Sequence, residues 1–322
     1  MWAYQHLIDF LGIRGLLTLV QQHQLTLPFL MTREGFSAFI SPIFPALLIL
    51  EIFFLVWLNR RSPRKLSGAY KIPILMYLAN ITVAGLINLE VLAVTHDLFL
   101  RFALFQTTVR LRWFLYAYVV WELSHYVYHY TCHKVRILWC MHSSHHAPEH
   151  MNLFVIYTAL FLQGTYATFV RTAICTILGV PFTLLLLAMT IDGCWGALIH
   201  VSEEVWPKGG VGGLFGRIFL NPIHHRIHHS RNPEYIDKNY CNLLPIWDLA
   251  FGTLQHELPG VKPEYGLKRH VKKNSFMDMY FGDIVLLIKD VHQAPTLKQK
   301  VQHVFMPPDW QPAGKAEVAE LR

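Results

Sequence analysis

The chain has 322 residues, of which 53% are hydrophobic and 14% aromatic, while only 15% are charged. Soluble domains carry about 25% charged residues, so this composition favours lipid as the surrounding solvent. The net charge of +7 comes from Lys and Arg scattered between apolar segments. That pattern argues against nucleic acid as a partner and favours a surface that faces anionic lipid headgroups.

The N-terminal part of the chain predicts a short interfacial segment followed by membrane-spanning helices. Residues 1–41 are amphipathic and form the expected interfacial segment. Apolar runs at 42–58 and 72–94 are each long enough to cross a bilayer with a few flanking residues. Polar residues inside a span must face the interior of a helical bundle. The second run contains three of them: Asn80, Asn88 and Glu90.

The segment between these two runs sets the expected orientation. Residues 59–71 form a predicted loop with five Lys and Arg, which places it in the cytosol. A third span begins near Trp113, and an apolar hairpin at 153–199 is broken near Gly179-Val180-Pro181. We therefore predict an all-α, multi-pass integral-membrane bundle of about four to five spanning or hairpin helices. We expect its membrane-embedded domain to cover residues 42–270 and residues 271–322 to form a cytosolic tail.

Histidines are concentrated in one part of the chain. Twelve of the 19 lie between residues 125 and 229. Residues three or four positions apart share one face of a helix. Three clusters follow that spacing: His125, His129 and His133; His142, His145 and His146; and His225, His228 and His229, with His224 directly before the last cluster.

Metal ligation is the chemistry that this spacing favours. A lone histidine is usually a packed or hydrogen-bonded residue, but three matched clusters are not explained in that way. Neutral imidazole is a good metal ligand, and eight or more ligands exceed what one metal accepts, so the pattern predicts two metals. Imidazole suits zinc, copper, iron and nickel. A pair of six-coordinate irons with room for oxygen is favoured.

The motifs resemble those of the fatty acid hydroxylase and sterol desaturase superfamily. The resemblance runs from about Glu122 to Thr253. It rests on the H-x-x-x-H of 129–133, the H-x-x-H-H of 142–146, and the Asn-Pro-Ile-His-His-Arg-Ile-His-His run of 221–229. Residues 231–240 are most similar to the alkylglycerol monooxygenase branch.

The resemblance implies a di-iron centre, and the predicted topology places it on the cytosolic face of the membrane. Glu122 and Asn152 would hydrogen-bond to the ligand imidazoles, and His125 could orient a ligand in the same way. The implied iron ligands are His129, His133, His142, His145, His146, His200, His224, His225, His228 and His229.

The implied reaction is the O2-dependent hydroxylation of an unactivated carbon of a membrane lipid, whether acyl, alkyl-ether or sterol. Electrons must come from an external donor, because the sequence contains no haem, flavin or dinucleotide motif. A sterol or acyl-chain desaturase would use the same ligands. A membrane metal carrier is the alternative from another class, although clustering of the histidines at one face argues against transport.

Overall fold

A computed structural model describes residues 13–22, 63–206, 213–272 and 275–312, together with isolated positions between 8 and 57. Within these ranges every regular element is a helix, so the all-α prediction is confirmed there. A 3-10 helix covers Leu153–Tyr157. The α-helices are α1 (Ile13–Gln21), α2 (Pro63–Leu100), α3 (Leu111–Lys134), α4 (Arg136–His146), α5 (Phe161–Ile177), α6 (Phe182–Ile199), α7 (Phe215–Ile218), α8 (Pro222–His228), α9 (Ile246–Phe251), α10 (Phe276–Gln293) and α11 (Leu297–Phe305).

Helix α2 is longer than the span predicted at 72–94. It begins at Pro63 and ends at Leu100, so the prediction of a loop through residue 71 is wrong from Pro63 onward. Proline is well tolerated in the first turn of a helix, where its missing N–H has no partner to lose. The run predicted at 42–58 lies largely outside the described residues.

The polar residues of α2 divide between two faces. Asn80 donates from Nδ2 to the carbonyls of Tyr157 and Ala159, at 2.8 and 2.6 Å. Asn88 accepts a hydrogen bond of 3.0 Å from Thr165 on α5. Both asparagines therefore hold α2 against its neighbours, as predicted. Glu90 is exposed, so its prediction as an inward-facing residue is wrong.

The predicted break near Gly179 is confirmed as the turn between α5 and α6. Gly179 has a φ of +72°, and a Cβ at this position would lie 2.4 Å from the carbonyl oxygen of Phe105. Only glycine fits such a close approach in the left-handed region. Thr107 donates to the Gly179 carbonyl from its backbone N and its hydroxyl, at 3.0 and 2.8 Å. This turn fixes the start of α6, whose far end carries His200.

The apolar core lies between α2, α3, α5 and α6. Its buried members include Leu92, Trp121, Cys175 and Leu185. Among the described residues one helix, α6, is long and apolar enough to cross a membrane, and 39% of it is buried inside the protein. The C-terminal helix α10 packs against α2 and α4. The histidine-bearing ends of α3, α4, α6 and α8 therefore meet over one end of the four-helix core.

Candidate metal centre

The first two histidine clusters are brought together by a sharp break between α3 and α4. Val135 is the only residue between these helices, and its backbone is extended, with φ −119° and ψ 117°. The chain therefore turns back on itself at this point. His133 near the end of α3 then lies beside His142 on α4, with ring centroids 5.0 Å apart.

The third cluster is held by α8, which begins at an Asn-Pro pair. The Asn221 side chain accepts hydrogen bonds from the backbone N of Ile223 and of His224, and Pro222 occupies the first helical position. Such a cap and proline favour a helix start at this point. The three imidazoles His225, His228 and His229 are buried, and they face the histidines of α4.

Nine of the ten predicted ligands form two buried groups. Within each group one ring nitrogen per histidine lies within 4.8 Å of all the others. Both H-x-x-H-H motifs contribute to both groups, so neither motif makes a site on its own. Group one consists of His129, His133, His142, His146 and His228, and group two consists of His145, His200, His225 and His229.

In group two, the tautomers of two imidazoles leave space for a cation between their Nε2 atoms. His145 Nδ1 lies 2.9 Å from the Val155 carbonyl, and His200 Nδ1 lies 2.5 Å from the Gly196 carbonyl. A carbonyl oxygen only accepts, so each Nδ1 carries the proton and each neutral ring has its lone pair on Nε2. These two Nε2 atoms are 3.3 Å apart. A bound cation would turn their repulsion into ligation.

Group one has the same arrangement. His129 Nδ1 lies 2.9 Å from the Tyr240 carbonyl, and its Nε2 lies 3.2 Å from His142 Nε2. The Nε2 atoms of His133 and His228 are buried without a hydrogen-bond partner among the described residues. Buried polar atoms of this kind need a partner. The donor set therefore fits two metal ions, one in each group.

Burial keeps the imidazoles neutral, as ligation requires. It lowers the pKa of six histidines that lie outside the predicted spans well below 6.5, and neighbouring imidazoles lower it further. Burial also lowers the pKa of His200 to about 4. The six are His142, His145, His146, His225, His228 and His229.

One short segment orients three imidazoles of group one. The Lys238 carbonyl lies 2.8 Å from His228 Nδ1, and the Tyr240 carbonyl accepts from His129. The Asp237 carboxylate lies 3.6 Å from His133 Nδ1 and pairs with a neighbouring lysine. We call residues 237–240 the clamp segment. Partners of this kind fix the tautomer and the direction of a ligand ring.

The clamp segment has an unusual backbone that other side chains hold in place. Asp237 and Asn239 have φ values of +61° and +57°, in a region that Asp and Asn tolerate better than most residues. Asn239 Nδ2 donates to the His224 and Gln255 carbonyls, at 3.0 and 2.8 Å. The Asp248 carboxylate accepts from the backbone N of Tyr240 at 2.8 Å. Asp248 therefore acts on the centre through the backbone.

The tenth predicted ligand, His224, lies outside both groups. Its Nδ1 contacts the cap residue Asn221, and its Nε2 lies 3.0 Å from His256 Nδ1. As the third residue of α8 it points back to the helix start, away from the face that carries His225 and His228. His125 also stays outside, since its Nδ1 lies 3.3 Å from the carboxylate of Asp192.

Glu122 and Asn152 both accept hydrogen bonds from backbone N–H groups. Glu122 is buried on α3 and accepts hydrogen bonds of 2.8 to 3.1 Å from the backbone N of three consecutive residues, 242–244. It therefore anchors the chain that follows the clamp segment. Asn152 caps the 3-10 helix by accepting from Phe154 N at 3.0 Å. That helix presents the Val155 carbonyl to His145.

Sequence reasoning missed Gln163. Its Oε1 lies 2.9 Å from His142 Nδ1, and its Nε2 donates to the Tyr128 hydroxyl at 2.7 Å. A glutamine within an otherwise apolar run is a signal that could have identified it, because polar residues in such runs usually have a partner. Backbone carbonyls such as that of Val155 carry no sequence signal.

A cavity of about 400 Å³ borders the centre. It exposes three histidines of group one, His133, His146 and His228, but only His229 of group two. Its outer wall includes residues 266–269 and 307–309 together with Asp283 on α10. Within the described part of the chain, this cavity reaches the centre from the side of group one.

Comparison with known proteins shows which family the region of the centre is similar to. Residues 114–253 match the family model for fatty acid hydroxylase, and all nine grouped histidines fall within that range. The chain is 27% identical over 282 residues to alkylglycerol monooxygenase of Homo sapiens, which is 84% of this chain and 59% of that protein. It is 29% identical over 212 residues to alkylglycerol monooxygenase of Danio rerio, 65% of this chain and 44% of that protein.

A bacterial enzyme is also similar. Ornithine lipid hydroxylase OlsE of Rhizobium tropici is 27% identical over 157 residues, 48% of this chain and 45% of that protein. The chain spans 59% or less of the length of each of these relatives. No solved structure matches the chain.

Proposed function

We propose that this chain, whose residues 114–253 match the fatty acid hydroxylase family model, is a membrane-embedded di-iron enzyme that uses molecular oxygen to hydroxylate a lipid. The observation that carries this proposal is the pair of buried histidine groups, which lie side by side within the matched range. A zinc site built for structure needs only four ligands, whereas nine imidazoles in two groups suit two redox metals.

Each iron would be held by one group. Group one offers five imidazoles and group two offers four, and we retain His224 as a candidate ligand whose ring would have to leave His256. Bound iron would supply the oxygen chemistry that an unactivated C–H bond requires and that acidic or basic side chains do not supply.

The protein's own residues would prepare the centre for that chemistry. Carbonyl partners such as those of Val155 and Tyr240 hold the Nδ1 protons, so that the Nε2 lone pairs face the metals. Burial excludes water from the imidazoles, which strengthens electrostatic interactions in the site. The cavity beside His133 and His228 would admit the lipid carbon that is oxidised.

Similarity to alkylglycerol monooxygenases makes an alkyl ether of glycerol the leading substrate. Hydroxylation of the carbon beside the ether oxygen takes one oxygen atom from O2, and the second atom leaves as water with two electrons and two protons. The hemiacetal then collapses to an aldehyde and the free glycerol. An external reductant or donor protein would deliver the electrons.

A multi-pass membrane setting agrees with the surface of the described helices. α6 has the length and composition of a span, and α2 exposes Leu75, Leu78 and Val94 along its length. Large exposed apolar surfaces of this kind mark contact with lipid or with protein. We propose residues 42–270 as the membrane-embedded catalytic domain, with the metal centre on the cytosolic side.

The deciding experiment combines metal analysis with product analysis on the full chain in lipid nanodiscs. We expect two irons per chain and, with an alkylglycerol, a reductant and ¹⁸O2, an aldehyde that carries one ¹⁸O atom. The aldehyde should be reduced to the alcohol at once, because its oxygen exchanges with water. The His145→Ala variant is the matched inactive control.

Other outcomes would favour the alternatives. A hydroxylated acyl chain as product would support the hydroxylase proposal and contradict the proposal of an ether substrate. An alkene without incorporated label would favour a sterol or acyl-chain desaturase. A single, readily exchanged zinc or copper ion without lipid oxidation would favour a metal carrier.

A further inference from the structure

The two C-terminal helices turn an apolar stripe outward. On α11 the side chains of Leu297, Val301 and Phe305 are 76%, 49% and 61% exposed. They recur every four residues and so share one face of the helix. On α10, Met277 and Ile288 are exposed in the same way. Single exposed apolar side chains are common, but a stripe across two consecutive helices marks an interaction surface.

The charges beside this stripe are basic. All three carboxylates between residues 275 and 306 are bound by arginines of the protein itself. Asp278 and Asp283 each accept from Arg269, both at 3.0 Å. Asp290 pairs with Arg136. Each carboxylate of this segment therefore has an arginine partner inside the protein, and the two arginines offset two of the three acidic charges.

The lysines of the same helices are not engaged in this way. Lys289 and Lys298 are exposed. With 3.6 residues per turn, Lys298 and Lys300 lie on opposite sides of the α11 stripe. Lysines that flank an apolar face are typical of helices that lie in the headgroup layer of an anionic membrane. The positive charge of these lysines complements anionic phospholipid, so we take an anionic membrane surface as the binding partner of this face.

The inner face of α10 places the stripe beside a proposed span. Tyr280 on α10 hydrogen-bonds to Asn80 of α2 through its hydroxyl, and it packs with Ile72, Met76 and Leu160. These contacts lie in the part of α2 nearest the basic residues of 59–71. If α2 crosses the membrane as proposed, the outer face of α10 lies at the level of the cytosolic headgroups.

We propose that α10 and α11 form an interfacial membrane-binding element. The apolar stripe inserts below the headgroups of the cytosolic leaflet, and the flanking lysines meet lipid phosphates and carboxylates. This inference rests on the proposed membrane setting and replaces the predicted cytosolic tail over residues 276–305. It also places the wall of the cavity formed by Asp283 and residues 307–309 at the membrane surface.

Spin labels can test this placement on the iron-loaded full chain in nanodiscs. One label replaces Val301 on the stripe, and the control label replaces Gln293, an exposed polar residue of the same helical pair. Both variants carry Cys194→Ser, because the other four cysteines are buried. In phosphatidylserine-rich nanodiscs we expect the label at 301 to collide several-fold more with O2, relative to a water-soluble nickel chelate, than the label at 293.

Two results would overturn the proposal. Equal access of the nickel chelate to both labels would place α11 in water. Shielding of the label at 301 from both reagents, with dipolar broadening between labels, would assign the stripe to a second copy of the chain. The Lys298→Glu/Lys300→Glu variant should lower the O2 preference at 301 in anionic nanodiscs, and an unchanged value would reject the role of the lysines.

A separate label distinguishes this inference from the membrane proposal itself. Native Cys194 lies on α6 and is partly exposed. If a label at Cys194 reports lipid while the label at 301 reports water, the protein is embedded and only the role of α10 and α11 is wrong. If both report water, the membrane setting of the whole chain fails.

Discussion

The two histidine groups differ in how their imidazoles are held. Group two depends on carbonyls at helix ends, those of Val155 and Gly196. Group one depends on the clamp segment 237–240 and on the side chain of Gln163. Group one also supplies three of the four histidines that border the cavity. The described partners of group two are therefore backbone carbonyls, whereas group one also depends on the side chains of Gln163 and Asp237 and supplies most of the histidines at the cavity.

Loss of one ligand from either group should have the largest effect. We expect His228→Ala and His145→Ala each to abolish turnover and to lower bound iron from two toward one. Activity assays and elemental analysis of the purified protein measure both effects. In His228→Ala the remaining iron should be bound by group two, and its spectrum would then separate the two groups.

The controls for this experiment are His270→Ala and His292→Ala, since both residues are exposed and outside the centre. Both should retain two irons and full activity. His303, which also lies outside every cluster, is unsuitable because it is buried against Arg136. Full iron and activity in both ligand variants would show that the groups do not bind metal.

Replacement of Asp237, the carboxylate of the clamp segment, should weaken metal binding at group one only. We expect Asp237→Asn to lower metal affinity at group one by roughly 10- to 100-fold, the usual range for residues that orient ligands, and to leave group two unchanged. Titration with Co²⁺, followed by its visible spectrum, separates the two sites. Lys134→Met is the matched control, because it removes the ion pair with Asp237 but keeps the carboxylate near His133.

Chelation should also distinguish the groups, by a smaller factor. The cavity opens on group one, so its metal should leave several-fold faster than the metal of group two when a water-soluble chelator is added. Stopped-flow absorbance should then show two phases of equal amplitude. A single phase that releases both metals would mean that the centre opens as a unit.

Acid should affect the metal-free protein without distinguishing the groups. Burial holds the pKa of His200 at about 4 and those of the other described ligands below 6.5, so the unfolded chain binds more protons below pH 6.5. The free energy of unfolding should therefore fall as pH drops from about 6.5 toward 4. Thermal unfolding of chelated protein at several pH values measures how steeply the free energy of unfolding depends on pH, which gives the number of protons taken up on unfolding. The His228→Ala variant should take up about one proton fewer.

Sequence spacing predicted the helices but not the grouping of the histidines. The steps from His142 to His145 and His146 correctly indicate one helix, α4. Assignment of His145 to group two and of its neighbour His146 to group one depends on which helix faces each ring. His224 illustrates the same limit, since it follows the motif but turns toward the start of α8. Helical spacing predicts which residues share one face of a helix, but it does not predict which residues of other helices that face contacts.

The supporting contacts were also beyond sequence reasoning, for two physical reasons. Peptide carbonyls such as those of Lys238 and Tyr240 are present at every residue, so their role depends on backbone geometry alone. Glu122 was identified, but its partners lie about 120 positions away at residues 242–244. Contacts between distant residues require the fold, because local pattern does not contain them.

The volume of the cavity has a kinetic consequence. At about 400 Å³ it lies near the lower end of the range for small-molecule pockets, roughly 300 to 1,000 Å³. A membrane lipid with two chains would enter only in part and keep the remainder in the bilayer. Turnover would then depend on the mole fraction of substrate in the surface and not on its bulk concentration. Adding inert lipid at constant total substrate should slow the reaction, a behaviour known as surface dilution.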